Sequence, residues 1–219
     1  NLEPDIALTN ISLDMLGQVR NFYQYIAQLR GDKSTEDDIA FLRKEREYKN
    51  VLLLEQPNTD FGYVIVRQFF FDVYNKLFLN ALQQSADETL RAFAFKGIKE
   101  ASYHERFSGD WLKRLGDGTE QSKKRVQEAV NDLWVYTDEL FQTTTADDAM
   151  IAAGVAPDMS AFRDTYYEKI KDLLTLATLD IPEVEYFQKG GKEGLHSEHL
   201  GFILTEMQYM QRTYPDSKW

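Results

Sequence analysis

The sequence predicts an all-α helical bundle, and three observations carry that prediction. Apolar residues recur at spacings of three, four and seven along most of the chain, the period of a helix buried on one face. Alternation with period two, the mark of a half-buried strand, is almost absent. Only five prolines interrupt 219 residues.

The first helix is expected from Pro4 to about Leu29, with Ile6, Leu13, Leu16, Phe22, Ile26 and Leu29 as its apolar positions and Pro4 in its first turn. Gly31 stops it, and Ser34 or Thr35, ahead of Glu36, Asp37 and Asp38, caps a second, charged helix reaching about Tyr48. After Val51–Leu54, the run Glu55-Gln56-Pro57-Asn58 favours a turn.

The stretch from Phe61 to Gln84 is apolar on nearly every side, which marks a central helix packed on several faces. Phe69, Phe70 and Phe71 also suit a short strand, but the length of the apolar stretch favours a helix. A long helix follows from about Asp87 to Leu115, ended by Gly116-Asp117-Gly118 as residues that tolerate a left-handed turn. Another runs from about Glu120 to Phe141, with Val126, Val130, Leu133, Trp134, Leu140 and Phe141 on its buried side. Thr143 to Pro157 holds a short helical turn, and Pro157 opens a helix to about Thr175. The segment from Asp180 to Ser197, with Pro182 and three glycines, is irregular, and a last helix spans about Ser197 to Arg212. No internal repeat and no long linker divides the chain, so 1–219 is expected to form one domain.

Composition excludes several function classes. Twenty-five Lys and Arg against 36 Asp and Glu give a net charge of −11, which opposes phosphate backbones and anionic lipid surfaces, so neither nucleic acid nor membrane is an expected partner. There is no cysteine, hence no disulfide, thiolate metal site or cysteine nucleophile, and a reducing cytoplasmic setting fits. No run of about 18 apolar residues is present, and the start NLEPDIALTN lacks the features of a signal peptide.

The stretch with most chemical content is Lys96 to Trp111, which holds His104, one of only three histidines. Helical bundles that bind two metal ions use paired Glu-x-x-His motifs, because residues three apart on a helix share a face and can grip one ion. Three residues before His104 stands Ala101, and Glu100 is turned away by about 100°. Ala101 and His104 therefore read as a degenerate metal site: His104 is expected as a buried histidine bonded to a neighbouring helix, in preference to a metal ligand supported by Glu100 and Glu105. The literal Glu193-x-x-His196 sits in GGKEGLH, where glycines disfavour the helix that the motif needs. His196-Ser197-Glu198-His199 lacks the zincin spacing, and Ser197 as a helix cap explains the same residues. Gly190-Gly191-Lys192 lacks the spacing, the following hydroxyl and the preceding strand of a phosphate loop. No G-x-S-x-G elbow occurs, and the aromatic clusters Phe69–Phe71 and Tyr166-Tyr167 suit a core better than a cofactor cage.

Five stretches carry a resemblance: LTNISLDMLGQVRNF (Leu8 to Phe22), LLLEQPNTDF (Leu52 to Phe61), RQFFFD (Arg67 to Asp72), KEASYHERFSGDWLKRLGDGT (Lys99 to Thr119) and GGKEGLHSEHLGFILTEMQYMQR (Gly190 to Arg212). With them the chain resembles the structural, non-catalytic subunit family (PaaC) of ring-1,2-phenylacetyl-CoA epoxidase, which acts in aerobic phenylacetate degradation. The resemblance implies a ferritin-like bundle with additional short helices, and no catalytic, cofactor or metal residue in this chain. It also implies a homologous catalytic partner that carries the di-iron centre in a hetero-oligomer. Leu16 and Val19 are expected on the inward face where an iron-binding bundle would place Glu and His. The family's bundle has an earlier helix, expected before Asn1. Gly190, Gly191, Lys192, His196, Glu198 and His199 are expected at the partner interface, since polar, glycine-bearing loops beside a capped helix suit recognition. Apolar helix faces also suit self-association of the chain alone. An autonomous ferritin-like di-iron oxidoreductase is the alternative function, and a general all-α adaptor is a third.

Overall fold

A computed structural model describes residues 2–215 and 217, and among these it contains no β-strand. Its helices are α1 (Leu2–Arg30), α2 (Glu36–Phe41), α3 (Phe61–Leu82), α4 (Glu88–Gly116), α5 (Glu120–Trp134), α6 (Thr145–Ala152), α7 (Arg163–Leu176) and α8 (Glu198–Thr213), joined in part by 3₁₀ turns. The fold is thus all-α and ferritin-like in its helical character, as the sequence predicts. None of the helices is long and apolar enough to cross a membrane among the described residues. Contacts divide the chain into two compact units, a larger one of Val51–Gly190 and a smaller one of Asn1–Asn50 with Gly191–Trp219.

The larger unit is organised around α3. Asp60 caps it by accepting a hydrogen bond from the Tyr63 amide. Ile65, Val66, Phe69, Phe70 and Val73 are buried, so the triplet that also suited a strand lies on a helix. The most extensive pairing in the molecule is between α3 and α4. It is close because the buried line of α4 is made of small residues, including Ala94, Gly97, Ala101, Ser108 and Gly109. A Cβ added at Gly109 would lie 3.3 Å from the Phe69 ring. Both α5 and α7 pack on α3 and α4, through Val126, Val130, Leu133 and Trp134 on α5 and Tyr166, Ile170 and Leu174 on α7. Phe141 touches the rings of Tyr74, Phe162, Tyr166 and Tyr167.

Several expected boundaries move, each for a local reason. The helix starting at Glu120 ends at Trp134, not Phe141: the Tyr136 and Thr137 amides bond three residues back and the Thr137 hydroxyl takes the Trp134 carbonyl. Pro157 does not open a helix; a 3₁₀ turn, Met159–Phe162, capped by Asp158, precedes α7. The second helix stops at Phe41. Thr35 and Asp38 form its capping box, while the extended Lys44 begins a 3₁₀ turn, Glu45–Glu47, held by the Glu47 carboxylate on the Lys44 amide at 2.6 Å. Gly116 makes no left-handed turn. It is required by proximity, since a Cβ there would meet the Ala177 carbonyl oxygen at 2.3 Å.

In the smaller unit α1 packs on α2, α2 on α8, and α8 on the Glu45–Glu47 turn. Its core is small, formed by Tyr48, Leu200 and Leu204. The Arg43 guanidinium lies over the Tyr48 ring at 4.2 Å, and Gln208 donates to the Tyr48 hydroxyl and the Arg43 carbonyl, both at 2.8 Å. Gly31 ends α1 with a φ of 63°. The expected inward face of α1 is corrected: Leu16 is 64% and Val19 45% exposed, while Pro4 and Ile11 are buried. Half-buried Met15, Gln18, Phe22 and Tyr25 continue the covered line, so it runs nearly half a turn away from Leu16. Apolar residues on both sides of α1 make spacing alone ambiguous.

Candidate functional site

The position that helix spacing marks as a degenerate metal site lies in the seam between α3 and α4. Ala101 and His104 are fully buried on the small-residue line of α4, and Glu100 is half-buried beside that line. Asp72, an acid in an otherwise apolar stretch of α3, is fully buried opposite them. Its Oδ1 accepts from Gln68 Nε2 at 2.6 Å and its Oδ2 lies 2.7 Å from Ser108 Oγ. Ser108 Oγ is also 2.9 Å from the His104 carbonyl oxygen.

Burial pushes the Asp72 carboxyl up to about 7, against the partial relief given by Ser108 and Gln68, and the Glu105 charge pushes the same way as burial. The short chain of polar groups accommodates either state. Ionised, Asp72 accepts a hydrogen bond from the Ser108 hydroxyl; protonated, it donates to Ser108 Oγ, which then donates to the His104 carbonyl. Glu105 is held by Lys76 and, at 3.7 Å, by Lys169 on α7, so the charges nearest this seam are paired within the larger unit.

These residues do not fit a di-iron centre. A methyl group stands where Glu-x-x-His needs a carboxylate, and both Asp72 oxygens are engaged by neutral donors. Among the described residues no group of three or more His, Asp or Glu side chains is placed to hold a metal ion. Asp72, Gln68 and Ser108 match no site motif in the sequence. The one available signal was the lone acid within an apolar helix, which needs a partner on the facing element.

The six residues expected at a partner interface are distributed between the two units. Gly190 belongs to the larger unit, where its amide donates to Glu139 Oε1 at 2.8 Å. Glu139 is itself buried, and its other oxygen accepts from the Leu52 amide at 2.6 Å. Gly191, Lys192, His196, Glu198 and His199 belong to the smaller unit. Gly191 is buried and Lys192 half-buried in a 3₁₀ turn, Gly191–Glu193. That turn is pinned by Lys49 Nζ on the Glu193 carbonyl at 2.8 Å, and His196 Nε2 lies 3.0 Å from the Tyr48 carbonyl. Gly194, with a φ of 85°, reverses the chain, so Glu193 and His196 share no helical face. A Cβ at Gly194 would meet the Arg46 carbonyl at 2.5 Å, so this glycine is also required by close packing. Ser197 takes the cap position of α8 by its backbone angles, without a side-chain cap bond; Glu198 is exposed and His199 half-buried in the first turn.

A family described as phenylacetic acid catabolic protein matches residues 1–219. One component of the 1,2-phenylacetyl-CoA epoxidase of Escherichia coli (strain K12), the subunit designated by the letter C, is 46% identical over 218 residues, 100% of this chain and 88% of that protein.

Proposed function

This chain belongs to the phenylacetic acid catabolic protein family, and on that premise we propose that it is the non-catalytic structural subunit of a phenylacetyl-CoA epoxidase. It supports a homologous di-iron catalytic subunit in aerobic phenylacetate degradation. The observation that carries this reading is the seam at Asp72. Where a metal-binding bundle would converge carboxylates and imidazoles, Ala101 supplies a methyl group, and Ser108 and Gln68 satisfy the buried Asp72.

Losing the ligands has a physical benefit for a support. Carboxylates gathered around an iron pair weaken a bundle core, because each buried charge must be compensated. A bundle relieved of that converging set packs more firmly and can brace the ligand-bearing helices of its partner. Of the residues expected to meet that partner, Gly190 and Gly191 are committed to internal packing. Lys192, His196, Glu198 and His199 carry the polar side chains of the pinned turn and the start of α8, with His196 also bonded to the Tyr48 carbonyl.

Anaerobic loading with ferrous iron, followed by metal analysis and oxygen uptake, tests the assignment. The chain alone is expected to retain well under one iron and to consume no oxygen. Coexpressed with the di-iron subunit, it is expected to co-purify and to be required for phenylacetyl-CoA turnover. About two tightly held irons per isolated chain with oxygen-dependent activity would favour an autonomous oxidase and reject the proposal.

A further inference from the structure

The last helix has two apolar faces, and only one is used within its own unit. Leu200, Leu204 and Gln208 form the inner line and are buried. On the other side, Phe202, Ile203, Glu206, Tyr209 and Met210 follow the spacing of a continuous helical stripe. All five are exposed, Phe202 by 73% and Tyr209 by 59%. Two aromatic rings and two aliphatic side chains on three turns form a patch of the kind that marks an interaction surface.

The carboxylate at the middle of the stripe decides what kind of partner fits. If two copies paired antiparallel through this face, two-fold symmetry about residue 206 would oppose Phe202 to Met210 and Ile203 to Tyr209. It would also oppose Glu206 to Glu206 at the centre. Sliding the register by one turn buries each carboxylate against an apolar residue instead. Both arrangements desolvate an uncompensated charge, and a net charge of −11 on each copy adds repulsion.

We propose that the outward stripe of α8 is the docking surface for a helix of a different subunit. That helix lays apolar residues against Phe202, Ile203, Tyr209 and Met210 and sets a Lys or Arg opposite Glu206. This rests on the reading of the chain as one subunit of a heteromeric epoxidase. The stripe carries both parts of such recognition, an aromatic anchor for affinity and a central charge that selects against self-pairing.

The test uses the full chain with the di-iron subunit of the same epoxidase, its affinity measured by titration. Replacing Phe202→Asp together with Tyr209→Asp is expected to weaken binding at least 100-fold. Glu206→Lys is expected to weaken it about 10-fold, and Glu206→Gln by less. Thermal unfolding of each variant alone should be unchanged, since the side chains are exposed, and sedimentation of the wild-type chain should match that of Phe202→Asp. If the wild-type chain binds and both the double variant and Glu206→Lys bind equally well, the assignment of this face is overturned. A wild-type homodimer that Phe202→Asp dissolves overturns it too. If the wild-type chain itself fails to bind the di-iron subunit, the subunit reading falls and takes the proposal with it.

Discussion

The larger unit buries most of its large apolar residues, whereas the smaller one exposes many of its own. Around α3, rings and aliphatic side chains from four helices close over Phe70, Ile65 and Tyr166, all fully buried. In the smaller unit the buried apolar cluster is Tyr48, Leu200 and Leu204. Most of the exposed large apolar side chains nevertheless belong to that unit, in α1 and α8. One unit therefore supplies its own driving force for folding, while the other keeps apolar surface that burial against another molecule would stabilise.

The sharpest way to break the contrast is to remove a ring from the larger core. Phe70 is fully buried and meets Trp134 edge-on at 5.8 Å. Phe70→Ala is expected to destabilise the protein by about 3–5 kcal/mol in urea unfolding, from lost transfer energy and the cavity left behind. A cost below about 1.5 kcal/mol would mean that this core is not the self-sufficient one.

Asp72 gives the next effect, and its sign is unusual for a carboxylate. Its ordinary value of 3.8 in the unfolded chain rises to about 7 in the fold, because burial disfavours the ionised form. Between those values the folded state binds more protons than the unfolded state, so this group's contribution makes stability fall as pH rises from about 4 to about 7 and then level off. Asp72→Asn keeps polar partners for Gln68 and Ser108 but removes the titration. The stability of wild type relative to this variant should therefore drop across that window by up to about 4 kcal/mol. Urea unfolding of both proteins at several pH values measures it, and a difference that rises with pH would show that the Asp72 charge is well compensated in the fold.

The helices of the larger unit were legible because their period is set by a single buried face or, for α3, by apolar residues on all sides. The His104–Ala101 mismatch was legible because residues three apart must share a face. Asp72 and Ser108 lie on different helices, and their meeting at 2.7 Å depends on how closely those helices approach. That approach is set by the small residues of α4, which no spacing rule converts into a pairing. In sequence the glycines of Gly190–Gly194 read as part of a polar recognition loop beside a capped helix. In the fold Gly194 serves a left-handed turn packed against Arg46, and Gly191 is buried. A glycine looks the same in sequence whether it serves freedom or proximity.

The smallest expected effect is the most useful check on the smaller unit, because it separates the two faces of α1. Ile11, 3% exposed, lies on the covered line, whereas Leu16, 64% exposed, lies nearly half a turn away. Leu16→Gln exchanges one good helix former for another on a face that buries little, so it should change stability by less than about 0.5 kcal/mol. Ile11→Ala should cost about 2 kcal/mol or more by the usual penalty for truncating a buried aliphatic. Thermal or urea unfolding of the two variants alone reads the difference directly. Should Leu16→Gln prove the costlier, the covered line of α1 runs through Leu16 and Val19 after all, and the helix presents its polar side outward. The contrast between a unit that hides its apolar surface and one that displays it would then rest on α8 alone.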